Sequence, residues 1–372
     1  MATAPILAAE GADDMRRILI STGVLTMLAL LPIATTGPAI AGGVRAVPVA
    51  TGLNAPIGFS FLPDGRLVYL ERSTGWLRFR NLQTDVDRRI YRIRNVVSDG
   101  ERGALGVDVH PDWPQRPFIY VFATRNRPNG LRNQVLRVRV ENGQPAGVRV
   151  LVSAAAGPAS NHNGGRIQFG PDGKLYIVIG DNAQPSNSQD RSQNLRGKIL
   201  RINDDGSIPG RNPFGSRIWA FGIRNSFGFG FDPQTDRLWE SDNGPECNDE
   251  VNKIKRGGNF GWGPNESCPK TNNSGPMPRI RPRYTFSSTV GLTGLTFCRS
   301  CGLGAGFGGD LLVGAVNDGI IRRFDLNARR TGFDSGPIVI LDRPDAVLSI
   351  ETGPNGRIYF SDFGAIYRLA SP

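Results

Sequence analysis

The sequence predicts an all-β protein, a six-bladed β-propeller of four-stranded antiparallel blades over residues 42–372. Three observations predict it. Glycine (48) and proline (27) are abundant and long amphipathic helical runs are missing, which favours many short strands joined by tight turns. A unit of a strand, a Pro/Asp/Asn-Gly turn and a second strand recurs six times, at spacings of roughly 45 to 65 residues that match a propeller blade. Asp64-Gly65, Asp172-Gly173 and Asn355-Gly356 are each flanked by alternating apolar residues, the pattern of a tight hairpin. A β-sandwich would not repeat its pattern six times.

The units follow one another along the chain. They read GFSFLPDGRLVYLERSTGWLRFR from Gly58, LGVDVHPDWPQRPFIYVFAT from Leu105 and GRIQFGPDGKLYIVIGDN from Gly165. The later three read FGFGFDPQTDRLWESDNG from Phe227, GLTFCRSCGLGAGFGGDLLVGAVNDGIIRRF from Gly294, and VLSIETGPNGRIYFSDFGAIYRL from Val347. In each, the third and fourth strands are more variable. The apolar segment 44–53 is expected to pair with the last unit and close the ring, removing its sheet edges. Longer inserts after residue 181 and around 263–290 fall on the same side of their blades, which marks that side as the functional face.

Residues 1–41 read as an N-terminal extension carrying a secretory signal. Met15-Arg16-Arg17 supplies a positive n-region, Ile18 to Ile33 an apolar h-region, and Ala39-Ile40-Ala41 a small-x-small cleavage site. Glu10, Asp13 and Asp14 do not suit an n-region, so Met15 is the expected first residue. An uncleaved anchor is the alternative, but the run is marginal in length and Pro32 interrupts it. The expectation is a secreted, periplasmic or cell-surface protein with no membrane span after cleavage. The net charge of +11 comes almost wholly from scattered arginines, with only five lysines, which argues against nucleic acid as a partner. Four cysteines in an exported chain read first as two disulfides, with local pairing of Cys247 with Cys268 and Cys298 with Cys301 preferred among three connectivities. A four-cysteine zinc site is the sharper alternative.

Three turns carry chemistry. His162, one of two histidines, stands between two asparagines just before the third unit, and Gly164-Gly165 lets the backbone turn tightly there. His110, in a hairpin turn beside Pro111, is the bland counterpart, and two histidines exclude a three-histidine metal site. Arg224-Asn225 holds the same position before the fourth unit, its guanidinium among Phe221, Ile223 and Phe227 and so in need of a polar partner. Asn243-Gly244-Pro245-Glu246-Cys247-Asn248-Asp249-Glu250 concentrates oxygen donors, and calcium takes about six to eight oxygens, backbone carbonyls included. The spacing is not that of an EF-hand, so such a site would be assembled from tertiary contacts.

Together these stretches resemble the soluble quinoprotein sugar dehydrogenases, the glucose/sorbosone dehydrogenase family that binds pyrroloquinoline quinone (PQQ). The resemblance runs from about Leu53 to Leu369 and is most specific in HNGGRIQFGPDGKLYIVIGD, GIRN and GPECNDEVN…GGNFGW. It implies a six-bladed propeller that oxidises an aldose at C1, with an unknown electron acceptor after the quinone. By resemblance His162 matches the general base at the sugar C1 hydroxyl, and Arg224 the arginine that stabilises developing negative charge. Asn225 matches a PQQ-binding asparagine, Glu101 falls where the family has a glutamine near the site, and Asn243 adjoins the cofactor. Gly244 and Pro245 match carbonyls that hold calcium, with Asp249 and Glu250 on acidic positions associated with it. Asn317 stands near a lysine position, and Ala346 and Leu348 near arginine positions, that in relatives neutralise the carboxylates of PQQ. Phe260 replaces a tyrosine and Asn161 an acidic residue. Arg322, Arg323 or Arg343 would have to compensate, since an unpaired buried carboxylate costs several kcal/mol, roughly. Two other readings therefore stand beside the dehydrogenase: a propeller that has lost the quinone and binds carbohydrate or protein, and a calcium-dependent lactonase-type propeller.

Overall fold

A computed structural model describes residues 43–372; the expected export signal lies outside the described residues. Twenty-four strands form six antiparallel sheets of four. The first blade comprises Phe59–Phe61, Leu67–Leu70, Trp76–Arg80 and Asp87–Arg92. The second comprises Ala104–Val109, Phe118–Arg127, Gly130–Glu141 and Gln144–Ala155, and the third Ile167–Phe169, Leu175–Ile179, Lys198–Ile202 and Ile218–Phe221. The fourth comprises Ser226–Phe231, Leu238–Asp242, Glu250–Lys253 and Tyr284–Thr285, and the fifth Leu292–Cys298, Asp310–Ala315, Ile321–Leu326 and Phe333–Leu341. The sixth takes Ser349–Thr352, Ile358–Ser361 and Ile366–Ala370 from the C-terminus and Arg45–Ala50 from the N-terminal side. Arg45 pairs with Ala370 and Val47 with Arg368, so the expected closure of the ring is present.

The blades stack because both faces of each sheet are apolar. Runs such as LYIVI (Leu175–Ile179) and DLLVGA (Asp310–Ala315) are buried at every position, without the alternation of a half-solvated sheet. Six apolar clusters result among the described residues, one at each junction between neighbouring blades. The cluster joining blades six and one contains Ala50, Phe59, Tyr69, Tyr359 and Ile366, so the closing strand contributes to a core that spans both chain ends. Each fully buried Leu, Ile or Phe there contributes about 1.5–3 kcal/mol.

The first strands line the axis, where charge is buried. Arg166 of blade three reaches across to Glu351 of blade six (3.1 Å) and donates through Nε to the Phe227 carbonyl of blade four. Asp108 of blade two accepts from the Ser60 hydroxyl of blade one and from the Phe169 N–H of blade three. Burial pushes the Glu351 carboxyl up to about 7, with Arg166 opposing, and burial likewise pushes Asp108 up to about 6. Both carboxyls ionise near 4 in the unfolded chain. Between about pH 4 and 7 the folded state therefore holds more protons, and stability falls as pH rises through that window. Chemical unfolding at pH 5 and pH 8 is expected to show the higher midpoint at pH 5. Glu351→Gln, which mimics the protonated side chain, will reduce that difference, and an unchanged pH dependence in this variant would contradict the assignment.

Candidate active site

In an antiparallel blade the loop entering the first strand and the loop between second and third strands open on the same face. Glu101, His162 and Arg224-Asn225 lie in loops of the first kind; Asn243, Gly244, Pro245, Asp249 and Asn317 lie in loops of the second, and Glu250 begins a third strand. The hairpins carrying Asp64-Gly65, Asp172-Gly173 and Asn355-Gly356 open on the opposite face, as does His110, whose Nδ1 accepts the Asp112 N–H.

His162 is held by an aspartate from the end of the neighbouring strand. Its Nδ1 lies 2.7 Å from Oδ1 of Asp181, whose carboxylate is fully buried. The other oxygen of Asp181 accepts the Trp262 indole N–H (2.7 Å), and Oδ1 also accepts the Ala183 N–H. An anionic acceptor so placed selects the tautomer with the proton on Nδ1 and leaves Nε2 with a free lone pair. The histidine backbone sits at φ 57°, a left-handed conformation that costs a non-glycine residue about 1–3 kcal/mol. Glu101 accepts the His162 N–H (2.5 Å), and Asn182 donates to the His162 carbonyl through both its backbone and its side chain (3.0 Å each). Gly180 allows this approach, since a Cβ there would stand 2.4 Å from the His162 carbonyl oxygen.

Arg224 and Asn225 are fastened in the same manner one blade on. Asp242, at the end of the second strand of blade four, accepts both their backbone N–H groups (2.8 and 2.6 Å). The Arg224 guanidinium donates to the Asn243 carbonyl and lies 5.3 Å from the Trp262 ring centroid, while its Nε is buried without a partner. Asn225 donates to Glu101 at 3.2 Å, and its buried Oδ1 has no partner. Glu101 thus links the histidine loop to the arginine loop. The Asn243 side chain is fully used in joining blades four and five, through the carbonyls of Asn225 and Leu292 and the Leu292 N–H.

The Gly-Pro loop turns tightly, and a Cβ on Gly244 would sit 1.8 Å from the Cys247 carbonyl oxygen. Asp249 shapes this loop by accepting the N–H groups of Gly244, Val290 and Gly291, which leaves it no oxygen without a bond. Disulfides Cys247–Cys268 and Cys298–Cys301 form with the preferred pairing, the first tying the loop to the following insert. The carbonyls of Gly244 and Pro245 accept no hydrogen bond among the described residues. They border a narrow cleft shared with Arg224, Asp242, Glu250 and Trp262. Burial, then the neighbouring Asp242, pushes Glu250 up to about 8; burial also pushes Asp242 up to about 6 and Glu240 well up. No group of three or more His, Cys, Asp or Glu side chains among the described residues has metal-binding geometry. A cation here would lean on carbonyls, with Glu250 nearby, and would relieve the crowded carboxylates. The unpartnered Arg224 Nε is a donor that suits a quinone carbonyl oxygen, whereas the unpartnered Asn225 Oδ1 is an acceptor and does not.

The far side of the face is different. Asn317 is exposed on the rim of blade five, Ala346 is half-buried and Leu348 is buried. The arginines that would compensate are already engaged: Arg322 with Asp318, Arg323 with Asp325 and the Gly306 carbonyl, Arg343 with Asp345 and Asp362. Phe260 packs in the core between blades three and four. Sequence reading missed Asp181, Asp242 and Trp262. A signal for the two aspartates was present, because four of the second strands carry an acid at their last residue or within two residues after it: Glu71, Asp181, Asp242 and Asp362.

Comparison with known proteins agrees with this architecture. The family model for glucose/sorbosone dehydrogenases matches residues 53–368. Quinoprotein glucose dehydrogenase B of Acinetobacter calcoaceticus is 34% identical over 245 residues, a match covering 58% of this chain and 51% of that enzyme. The aldose sugar dehydrogenase YliI of Escherichia coli is 27% identical over 82% of this chain and 86% of its own. Among solved structures, the PQQ-bound aldose sugar dehydrogenase of Streptomyces coelicolor superposes with a TM-score of 0.76 at 26% identity, covering 90% of this chain and 99% of that one. The chain belongs to the glucose/sorbosone dehydrogenase family.

The dyad geometry makes a prediction that needs no substrate. Because the chain has two histidines, ¹⁵N spectra resolve each ring, and neutral His162 is expected to carry its proton on Nδ1. Asp181→Asn will remove that preference; an Nε2–H tautomer in the unaltered protein would contradict the geometry.

Proposed function

We propose that the protein is an exported, calcium-containing quinoprotein that oxidises an aldose at C1, with PQQ as hydride acceptor. The observation that carries this reading is the His162–Asp181 pair facing the same cup as Arg224. The His162 Nε2 accepts the proton of the sugar C1 hydroxyl, and Asp181 stabilises the imidazolium that forms. Arg224 stabilises negative charge developing on oxygen in the transition state, in surroundings where the Trp262 ring excludes water. When bound, PQQ supplies the electrophilic dione carbon that takes the hydride from C1. Asn225 would contact it, with Glu101 and Asn243 holding the frame and Asn317 at the rim. The carbonyls of Gly244 and Pro245, with Glu250 nearby, would hold the calcium, and Asp249 would shape their loop. The acceptor that reoxidises the quinone is a separate partner. No helix among the described residues is long and apolar enough to cross a membrane.

One observation favours a second reading. Arg322, Arg323 and Arg343 are each paired with aspartate, so none of the three is free to meet the carboxylates of PQQ. A propeller that kept the fold and lost the quinone would then bind carbohydrate or protein instead.

Adding PQQ and calcium to the purified protein separates the two. Aldose-dependent reduction of a dye is expected, with His162→Ala lowering kcat about 10²–10⁴-fold and chelation of calcium abolishing the activity. Failure to bind PQQ at micromolar concentration would overturn the dehydrogenase in favour of the binding module. Activity surviving His162→Ala would remove the histidine from its role.

A further inference from the structure

Between Asp181 and Lys198 the chain makes an excursion on the site face, and one helical turn within it (Ser186–Gln189) reaches three parts of the site. Asn187 donates through Nδ2 to the Asp181 carbonyl (2.8 Å). The Ser188 hydroxyl donates to the carbonyl of Ile223 (2.7 Å), the residue before Arg224, and the Ser188 carbonyl accepts the Gly222 N–H. Gln189 donates through Nε2 to the Trp262 carbonyl (2.6 Å) and to Asn259 Oδ1. Three consecutive residues thus fasten Asp181, the Arg224 loop and Trp262.

A four-residue turn with no side-chain cap is too short to hold itself. Its carbonyls are gathered by Lys198, whose side chain is fully buried and donates to the carbonyls of Asn187 (2.6 Å), Ser188 (3.1 Å) and Arg196 (2.7 Å). Gly197 lets the strand approach, since a Cβ there would lie 2.6 Å from Ser188 Cα. Among the described residues no carboxylate bonds the ammonium. An apolar side chain of similar length would fill the space without the desolvation cost of a buried charge. What the charge provides instead is three donors at one point.

We infer that Lys198 is the positioning residue of the site, holding the Asn187–Gln189 turn and through it setting Asp181, Arg224 and Trp262 as one unit. Its catalytic meaning rests on the dehydrogenase reading; its geometry does not. The grip depends on charge, because a neutral amine has two N–H donors for three carbonyls. Burial is the main cause that pushes Lys198 down to about 7; Arg196 and Arg191 act with it, Asp190 and Asp181 against it. The unfolded lysine ionises near 10.4, so between about pH 7 and 10 the unfolded state holds more protons and Lys198 makes global stability rise. The local grip weakens as pH rises through about 7. These opposite signs distinguish positioning from a general structural role.

The test follows the Trp262 indole and His162 ring by ¹⁵N NMR in unaltered protein and in Lys198→Met, with kcat and KM for the aldose measured in parallel. The Trp262 indole signal is expected to step near pH 7 without a matching fall in unfolding midpoint, and to keep that step in Glu250→Gln and in Asp242→Asn, which remove the two carboxyls bordering the same cleft. Lys198→Met will shift the Trp262 and His162 signals, abolish the step, and lower kcat at least ten-fold with KM changed less than three-fold. A folded Lys198→Met with both signals and the pH step unchanged overturns the inference. Should that variant fail to fold, Gln189→Ala decides: a shifted Trp262 indole with reduced kcat supports the turn's role, and an unmoved signal overturns it. Absence of sugar oxidation in the unaltered protein would defeat the dehydrogenase reading alone, since the NMR arms involve no substrate.

Discussion

The carboxylate of Asp181 is the contact on which the rest of the site depends. It is fully buried, yet it gathers the His162 ring, the Trp262 indole and the Ala183 N–H. An anion in that position is tolerable only with its acceptor sites occupied by donors, so it fixes the orientation of each partner. The propeller makes this possible. The aspartate ends a second strand and the histidine precedes a first strand of the same blade, and antiparallel pairing brings those two loops to one face. Blade four repeats the device with Asp242 and the N–H groups of Arg224 and Asn225. The same acid position in blade six, Asp362, engages Arg343 from the loop entering its own blade. A repeated structural fastener has become, in blade three, the partner that orients the His162 ring.

The face divides chemically into two halves. Blades two to four present a histidine with a free ring nitrogen, an arginine with a buried unpartnered Nε, and a loop with carbonyls available to a cation. Blades five and six present arginines already neutralised by aspartates. On the proposed function, the first half supplies the groups for proton transfer and charge stabilisation. The second half is organised for the integrity of the ring, with Arg322, Arg323 and Arg343 held by aspartates instead of facing a ligand.

The fold was legible in the sequence because its signals are local and repeated. Hairpin dipeptides recur once per blade in three blades, and apolar runs such as LYIVI reveal sheets covered on both faces. Even the ring-closing strand was readable, as an apolar segment left over before the first unit. The site was legible only in part. His162, Arg224 and the Gly-Pro loop stand out because rare residues sit at turns. Asp181 escaped notice because its role depends on a register between strands 19 residues apart, and Asp249 looked like a ligand although the fold commits both its oxygens to backbone N–H groups. Lys198 was visible only as one lysine in an arginine-rich chain. Its significance comes from three carbonyls that no linear pattern announces.

The most direct measurement of the central claim is the rate of oxidation of a C1-deuterated aldose by the calcium- and PQQ-loaded protein, compared with the protiated sugar. The account predicts a primary isotope effect on kcat/KM and a large fall in that rate in Asp181→Asn. No isotope effect at C1, together with a rate indifferent to Asp181→Asn, would contradict it.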